Sequence, residues 1–145
     1  MTLVDANVLI YAYNPAAPQH PSARAWLEQT LAAGAPVRLA WVTVLAFVRI
    51  MTHAQVFRLP LTLEEAVAIV DDWLAHPAVA ILEPGERHWP ILRGFLLGGQ
   101  AAGPLATDAF LAALAVEHGA RLCTTDRDFA RFEGLTLIDP TRPAA

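Results

Sequence analysis

Apolar residues along this chain alternate between two signatures, short runs that suit buried strands and longer stretches with helical spacing. Thr2 to Asp5 opens as a short strand, and from Asn7 the residues Val8, Leu9, Ile10 and Tyr11 begin a helix that Asn14-Pro15 ends. After the loop Pro15 to Pro21, Ser22 is placed to cap a helix through Ala33, with Gly34 as its stop. Val37 to Ala40 reads as a second strand, and residues 42 to 54 as an apolar helix. Thr62 is an N-cap for a helix with Glu64 and Glu65 in its first turn, which runs to His76 before Pro77. Val79 to Leu82 is a third strand, and a helix with Pro90 near its start spans Arg87 to Leu97. Turns marked by Gly98-Gly99 and Gly103-Pro104 lead to a helix from Leu105 or Thr107 to His118, closed by Gly119 in the left-handed conformation. Arg121 to Thr124 is a fourth strand, Asp126 to Phe132 a turn or short helix, and Leu135 to Ile138 the last strand before Asp139-Pro140.

Strands separated by helices predict an α/β protein, a three-layer α/β/α arrangement around a central, mostly parallel sheet with right-handed crossovers. At 145 residues the chain is expected to form one domain, 1–145. Its 55% hydrophobic and 17% charged residues argue against disorder and suggest apolar surface covered by a partner, a second copy or another protein. The lone Cys123 can make neither an internal disulfide nor a thiolate zinc site, and no leader segment is recognisable, so a reducing cytoplasm is expected. The apolar stretch Leu39 to Val48 is too short to span a bilayer, and no membrane role is expected. A net charge of −4 counts against a general grip on nucleic acid, although all 10 cations are Arg, the residue suited to bidentate phosphate contacts.

The chemistry concentrates in acids. Open parallel sheets place ligands at the carboxyl ends of their strands, where Asp5 and Asp126 fall. Neighbouring strands lie ~4.8 Å apart, so two such carboxylates can share an ion. Asp108 shares its helix face with Leu111, Ala112 and Ala115, which turns its carboxylate toward the sheet and demands a cation, a helix N-terminus or a proton; for the three acids together, a metal or an Arg is the partner left. A divalent ion held by three acids suits phosphodiester hydrolysis, of RNA or DNA. Asn7, Thr124 and Thr125 are placed to orient the acids. Taken singly, each Asp is more simply a turn former or cap, Asn7 a helix cap and Asp128 a surface residue. Glu64, Glu65, Asp71 and Asp72 read as a solvated helix face. The five His show no metal spacing, and Trp26, Trp41, Trp73 and Trp89 read as core or interface.

In combination the residues are familiar. The segment Leu3-Val4-Asp5-Ala6-Asn7-Val8-Leu9-Ile10-Tyr11, then Thr107-Asp108-Ala109 with Leu111 to Ala115, then Leu122-Cys123-Thr124-Thr125-Asp126-Arg127-Asp128-Phe129 resemble PIN domains of VapC toxins over nearly the full chain. The resemblance implies a Mg2+- or Mn2+-dependent endoribonuclease with Asp5, Asp108 and Asp126 as catalytic and metal-binding residues. It implies cleavage of structured RNA (tRNA or rRNA), silencing by a cognate VapB-like antitoxin, and a homodimer. Trp41 to Arg49 resembles the segment that includes the family's second acid, but Phe47 stands where that family usually carries Glu, and no carboxylate occurs from Gln29 to Leu63. A water, the Thr43 hydroxyl or Asp128 would then complete the coordination. Arg24, Arg49, Arg87 and Arg93 are candidates for phosphate contacts.

Other acid-based readings fail on single residues. A haloacid-dehalogenase-type phosphotransferase needs Asp where Asn7 stands, and a receiver domain needs a Lys that the chain lacks. Neither a dinucleotide turn nor a phosphate loop is present. The alternative that Phe47 supports is a PIN-like domain without strong catalysis, acting as an RNA-binding or protein-binding module.

Overall fold

The computed structural model describes residues 1–142. Five strands form one sheet in the order β3-β2-β1-β4-β5, with every neighbouring pair parallel. The strands are short: β1 Thr2–Val4, β2 Val37–Leu39, β3 Val79–Ile81, β4 Arg121–Cys123 and β5 Leu137–Ile138. Six helices connect them: α1 Ala6–Ala12, α2 His20–Ala32, α3 Trp41–Met51, α4 Leu63–Ala75, α5 His88–Gly98 and α6 Leu105–His118.

Because successive side chains in a strand point to opposite faces, the central strands β1 and β4 each serve two cores. Val4, Val37, Leu39 and Cys123 pack with buried residues of α1 to α4. Leu3 and Leu122 face the other way, toward Leu111, Leu114 and Ala115 of α6, with Phe129 and Phe132. The sheet is thus sandwiched between two helical layers, the three-layer arrangement expected from the alternation of elements. The second layer is built closely on alanine, since Ala109, Ala112, Ala113 and Ala115 are all fully buried along one helix. Small side chains let the backbone of α6 approach the strands, which brings its first turn near the strand ends.

Local signals set most helix limits. Thr62 accepts from the Glu65 amide while the Glu65 carboxylate accepts from the Thr62 amide, a reciprocal cap at the start of α4. Gly119 ends α6 at φ 66°, the left-handed conformation that glycine adopts without strain. Two expectations shift. Helix α2 begins at His20 rather than after Ser22, because Pro21 in the first turn has its φ already set for a helix and gives up only an amide that would be unpaired there. Strand β5 is reduced to Leu137–Ile138, while Leu135 packs against the α6-side core instead of pairing. Among the described residues, no helix is long and apolar enough to cross a membrane.

Candidate active site

The strand order reverses at β1, which pairs with β2 on one side and β4 on the other. The carboxyl ends of β1 and β4 therefore lie side by side, at the position where open parallel sheets accept ligands. Asp5 follows β1 directly and is the N-cap of α1, where its Oδ1 accepts from the Ala6 amide at 2.7 Å. Asn7, read from sequence as a helix cap, is displaced from that role by Asp5 and reaches across to β4 instead.

Thr124, just past β4, is the hub of the site. Its buried hydroxyl donates to Asp5 Oδ2 at 2.9 Å. The same oxygen accepts from the Asn7 side-chain amide at 3.3 Å and from the Asp126 backbone amide at 3.0 Å. One hydroxyl thus fixes the Asp5 carboxylate, the Asn7 amide and the start of the Asp126 turn relative to one another. Asp126 caps the 3-10 turn Arg127–Arg131 by accepting from the Asp128 amide at 2.8 Å, which leaves its second oxygen uncommitted by that cap.

Asp108 arrives from the other layer, in the first turn of α6. Among the described residues its carboxylate accepts no hydrogen bond, and its pKa is raised to about 6, first by burial and then by the charges of Asp126, Asp5 and Asp128. Arg131 acts in the opposite direction. Burial also raises Asp5, against the Thr124 and Ala6 hydrogen bonds, with Asp126 adding repulsion. The three acids singled out in the sequence therefore share one electrostatic field, and Asp128, exposed and read as a surface residue, belongs to it as well.

Among the described residues, no three His, Cys, Asp or Glu side chains close into a set that could hold an ion as they stand. The donors themselves suit a hard cation: they are carboxylate oxygens with Arg131 alone acting on Asp108 as counter-charge, and their mutual repulsion is what a divalent ion would relieve. Thr43, in the first turn of α3, has a buried hydroxyl without a hydrogen-bond partner among the described residues. Phe47 is fully buried in the α1–α4 layer, edge-on to Tyr13 at 5.7 Å and to Trp73 at 4.6 Å.

The arginines divide differently from the sequence expectation. Arg24 is occupied by Glu28 at 2.7 Å and lies over the Tyr13 ring at 4.8 Å, and Arg87 binds the Glu117 carbonyl. Arg49 and Arg93 are exposed. The arginine that reaches the site is Arg131, which sequence reasoning passed over; its position five residues after Asp126, on the same turn, was the available signal. Cys123 offers no nucleophile, since burial pushes its thiol far above the usual range.

The PIN domain family matches residues 2–135 of this chain. Among curated proteins, the chain is 44% identical over 140 residues to Ribonuclease VapC37 of Mycobacterium tuberculosis, covering 97% of both chains. It is 39% identical over 142 residues to Ribonuclease VapC33 of the same species, covering 98% of this chain and 99% of the relative. Among solved structures, VapBC2 from Rickettsia felis bound to a promoter DNA fragment superposes with a TM-score of 0.66 at 16% identity, covering 94% of this chain and 96% of the other. DNA-bound VapBC from Salmonella typhimurium superposes with a TM-score of 0.67 at 16% identity, covering 96% and 97%.

Proposed function

This chain belongs to the PIN domain family, and from that membership together with its acid cluster we propose that it is the endoribonuclease toxin of a toxin–antitoxin pair, cutting structured RNA such as tRNA or rRNA. The observation that carries the reading is the convergence of Asp5, Asp108, Asp126 and Asp128 at the β1/β4 switch without a compensating Lys.

Asp5, Asp108 and Asp126 are the residues that would hold Mg2+ or Mn2+. When bound, such an ion would acidify a water and offset charge on the phosphate. The protein's own part is orientation. Thr124 holds the Asp5 carboxylate in place, and the α1 N-terminus favours its ionised form. Asp108, with a pKa of about 6, is the acid placed to exchange a proton near neutral pH when no cation is present. Arg131 supplies positive charge beside the acids, suited to an RNA phosphate.

The partner is a VapB-like antitoxin, and a second copy of the chain is proposed as well. Trp41 and Leu45 on α3, and Trp89 and Leu97 on α5, are exposed apolar side chains available for such cover. Action on cellular RNA would put the protein in the cytoplasm, and that location is proposed with it. A non-catalytic, RNA- or protein-binding module is the second reading, favoured by the burial of Phe47 in the core, which leaves α3 without an acid for the site. Incubation with total RNA in Mg2+ or Mn2+, for wild type and Asp108→Asn, separates the two. New RNA ends that depend on metal and on Asp108 are expected; identical RNA profiles from both proteins would overturn this and favour the binding module.

A further inference from the structure

A groove of about 450 Å³ lies along α5, bounded by Gly94, Phe95, Gly98, Gly99, Arg131 and Glu133. Its direction follows from the packing. The Gly98–Gly99 end of α5 joins α6 through a short connection near Asp108, whereas the Arg87 end meets Glu117 at the far end of α6. Arg131 sits at the near end, donating from Nη1 to the Gly99 carbonyl at 3.1 Å and from Nε to the Asp128 carbonyl at 3.2 Å. Those two bonds fix the guanidinium and leave its Nη2 donors without a hydrogen-bonding partner among the described residues. Gly99 itself leaves no room for a side chain, since a Cβ there would meet the Phe95 carbonyl at 2.7 Å and the Phe132 ring at 3.2 Å. The groove thus includes a fixed cation whose charge acts on Asp108, and a half-buried aromatic ring, held against Phe132 at 5.2 Å, in its wall.

We propose that this groove is a nucleotide subsite of the same cleavage site, in which Arg131 holds a phosphate next to the one attacked, Phe95 stacks an unpaired base, and Glu133 accepts from an amino group on that base. The inference rests on the ribonuclease reading above. The lining matches the chemistry of a single-stranded nucleotide: a cation for phosphate, an aromatic face for a base, and a carboxylate acceptor that selects bases carrying N–H donors. A helix from a partner protein is the other occupant that the open glycine face would admit. The charge arrangement favours the nucleotide, because the one fixed cation of the groove, bonded to the Asp128 carbonyl and acting on Asp108, links the groove to the acids and suits a phosphate.

Gly94 is the point of test. A Cβ there meets nothing within 4 Å, so Gly94→Leu projects into the groove, and leucine is the better helix former. Binding of a fluorescent single-stranded RNA is measured in the Asp108→Asn background, and cut sites on total RNA are mapped without it. Gly94→Leu and Arg131→Ala are expected to weaken binding about tenfold, and Glu133→Ala to relax base preference beside the cut. Unchanged binding and cut sites in Gly94→Leu, while its parent still cuts, would overturn the subsite and leave the ribonuclease reading intact. A parent that neither binds nor cuts RNA overturns both. Loss of binding that accompanies a changed sedimentation coefficient identifies the groove as a protein contact and overturns the subsite too.

Discussion

The two ends of α6 carry the same chemical group in opposite circumstances. At the first turn, Asp108 has three other carboxylates in its field and a pKa raised to about 6. At the last turn, the Glu117 carboxylate accepts from the Gly85 amide at 2.8 Å and the Arg87 amide at 3.1 Å, with His88 and His118 at 3.8 and 3.9 Å. Those contacts, the Gly85 amide foremost, hold it below the ordinary carboxylate range. The helix dipole by itself predicts the reverse, since it favours an acid at the N-terminus and disfavours one at the C-terminus. Neighbours outweigh the dipole at both ends. Glu117, whose charge is met by two backbone amides, anchors a loop, whereas Asp108, left unmet among other acids, is the group for which a cation is proposed.

The contrast breaks or holds first on activity. Asp108→Asn is expected to reduce RNA cleavage by about a hundredfold or more, the scale on which transition-state charge stabilisation is lost, while the protein stays folded. Glu117→Gln is expected to leave cleavage unchanged and to lower the melting temperature, because its loop anchor is weakened. Cleavage of a labelled RNA and thermal melting, run on both variants, check this; similar losses of activity from both ends would erase the distinction.

Thr124→Val sharpens the active end, since it removes the hydroxyl that joins Asp5, Asn7 and Asp126 while conserving shape. Metal affinity or cleavage should fall by ~10- to 100-fold, as for other residues that orient ligands. Titration of Mn2+ against activity reads it out. A third comparison needs no substrate. Near a hundredfold excess over its dissociation constant, a bound ion stabilises a folded protein by ~2.7 kcal/mol. Mn2+ should therefore raise the melting temperature of wild type and of Glu117→Gln, but not of Asp5→Asn.

The smallest effect is in pH. Asp108 has a folded pKa of about 6 against an ordinary 3.8, so the folded state binds more protons between these values. In chelator, its contribution makes the protein less stable as pH rises from about 4 to 6, and Asp108→Asn should remove that slope. Glu117 is shifted down from 4.5, so its contribution is present above that value and disappears as pH falls through its lower folded pKa. Melting curves at successive pH values should show slopes of opposite sign for the two ends, and equal signs would contradict the assignment.

Much of this was legible one residue at a time. The reciprocal Thr62–Glu65 cap, the left-handed Gly119 and the alternation of strands with helices are local events, decided by neighbours a few positions away, and the structure follows them closely. The α2 start was misplaced by three residues because Ser22 and Pro21 compete as signals, and the proline backbone prevailed. The three aspartates could be picked out because each adjoins a strand end or a helix start, although the sequence alone leaves each an ordinary cap.

What the linear order determined, then, is the set of elements, the faces they bury and the family pattern that carries Asp5, Asp108 and Asp126. Tertiary structure alone decided that Thr124 ties two strands together from opposite ends of the chain, that Arg131 and Asp128 join the acids, and that Phe47 turns into the core beside Tyr13 and Trp73. The physical reason is range: hydrogen-bonded elements form from local preference, whereas a charge's environment is set by whatever the folded chain brings within a few ångströms, regardless of its distance in sequence.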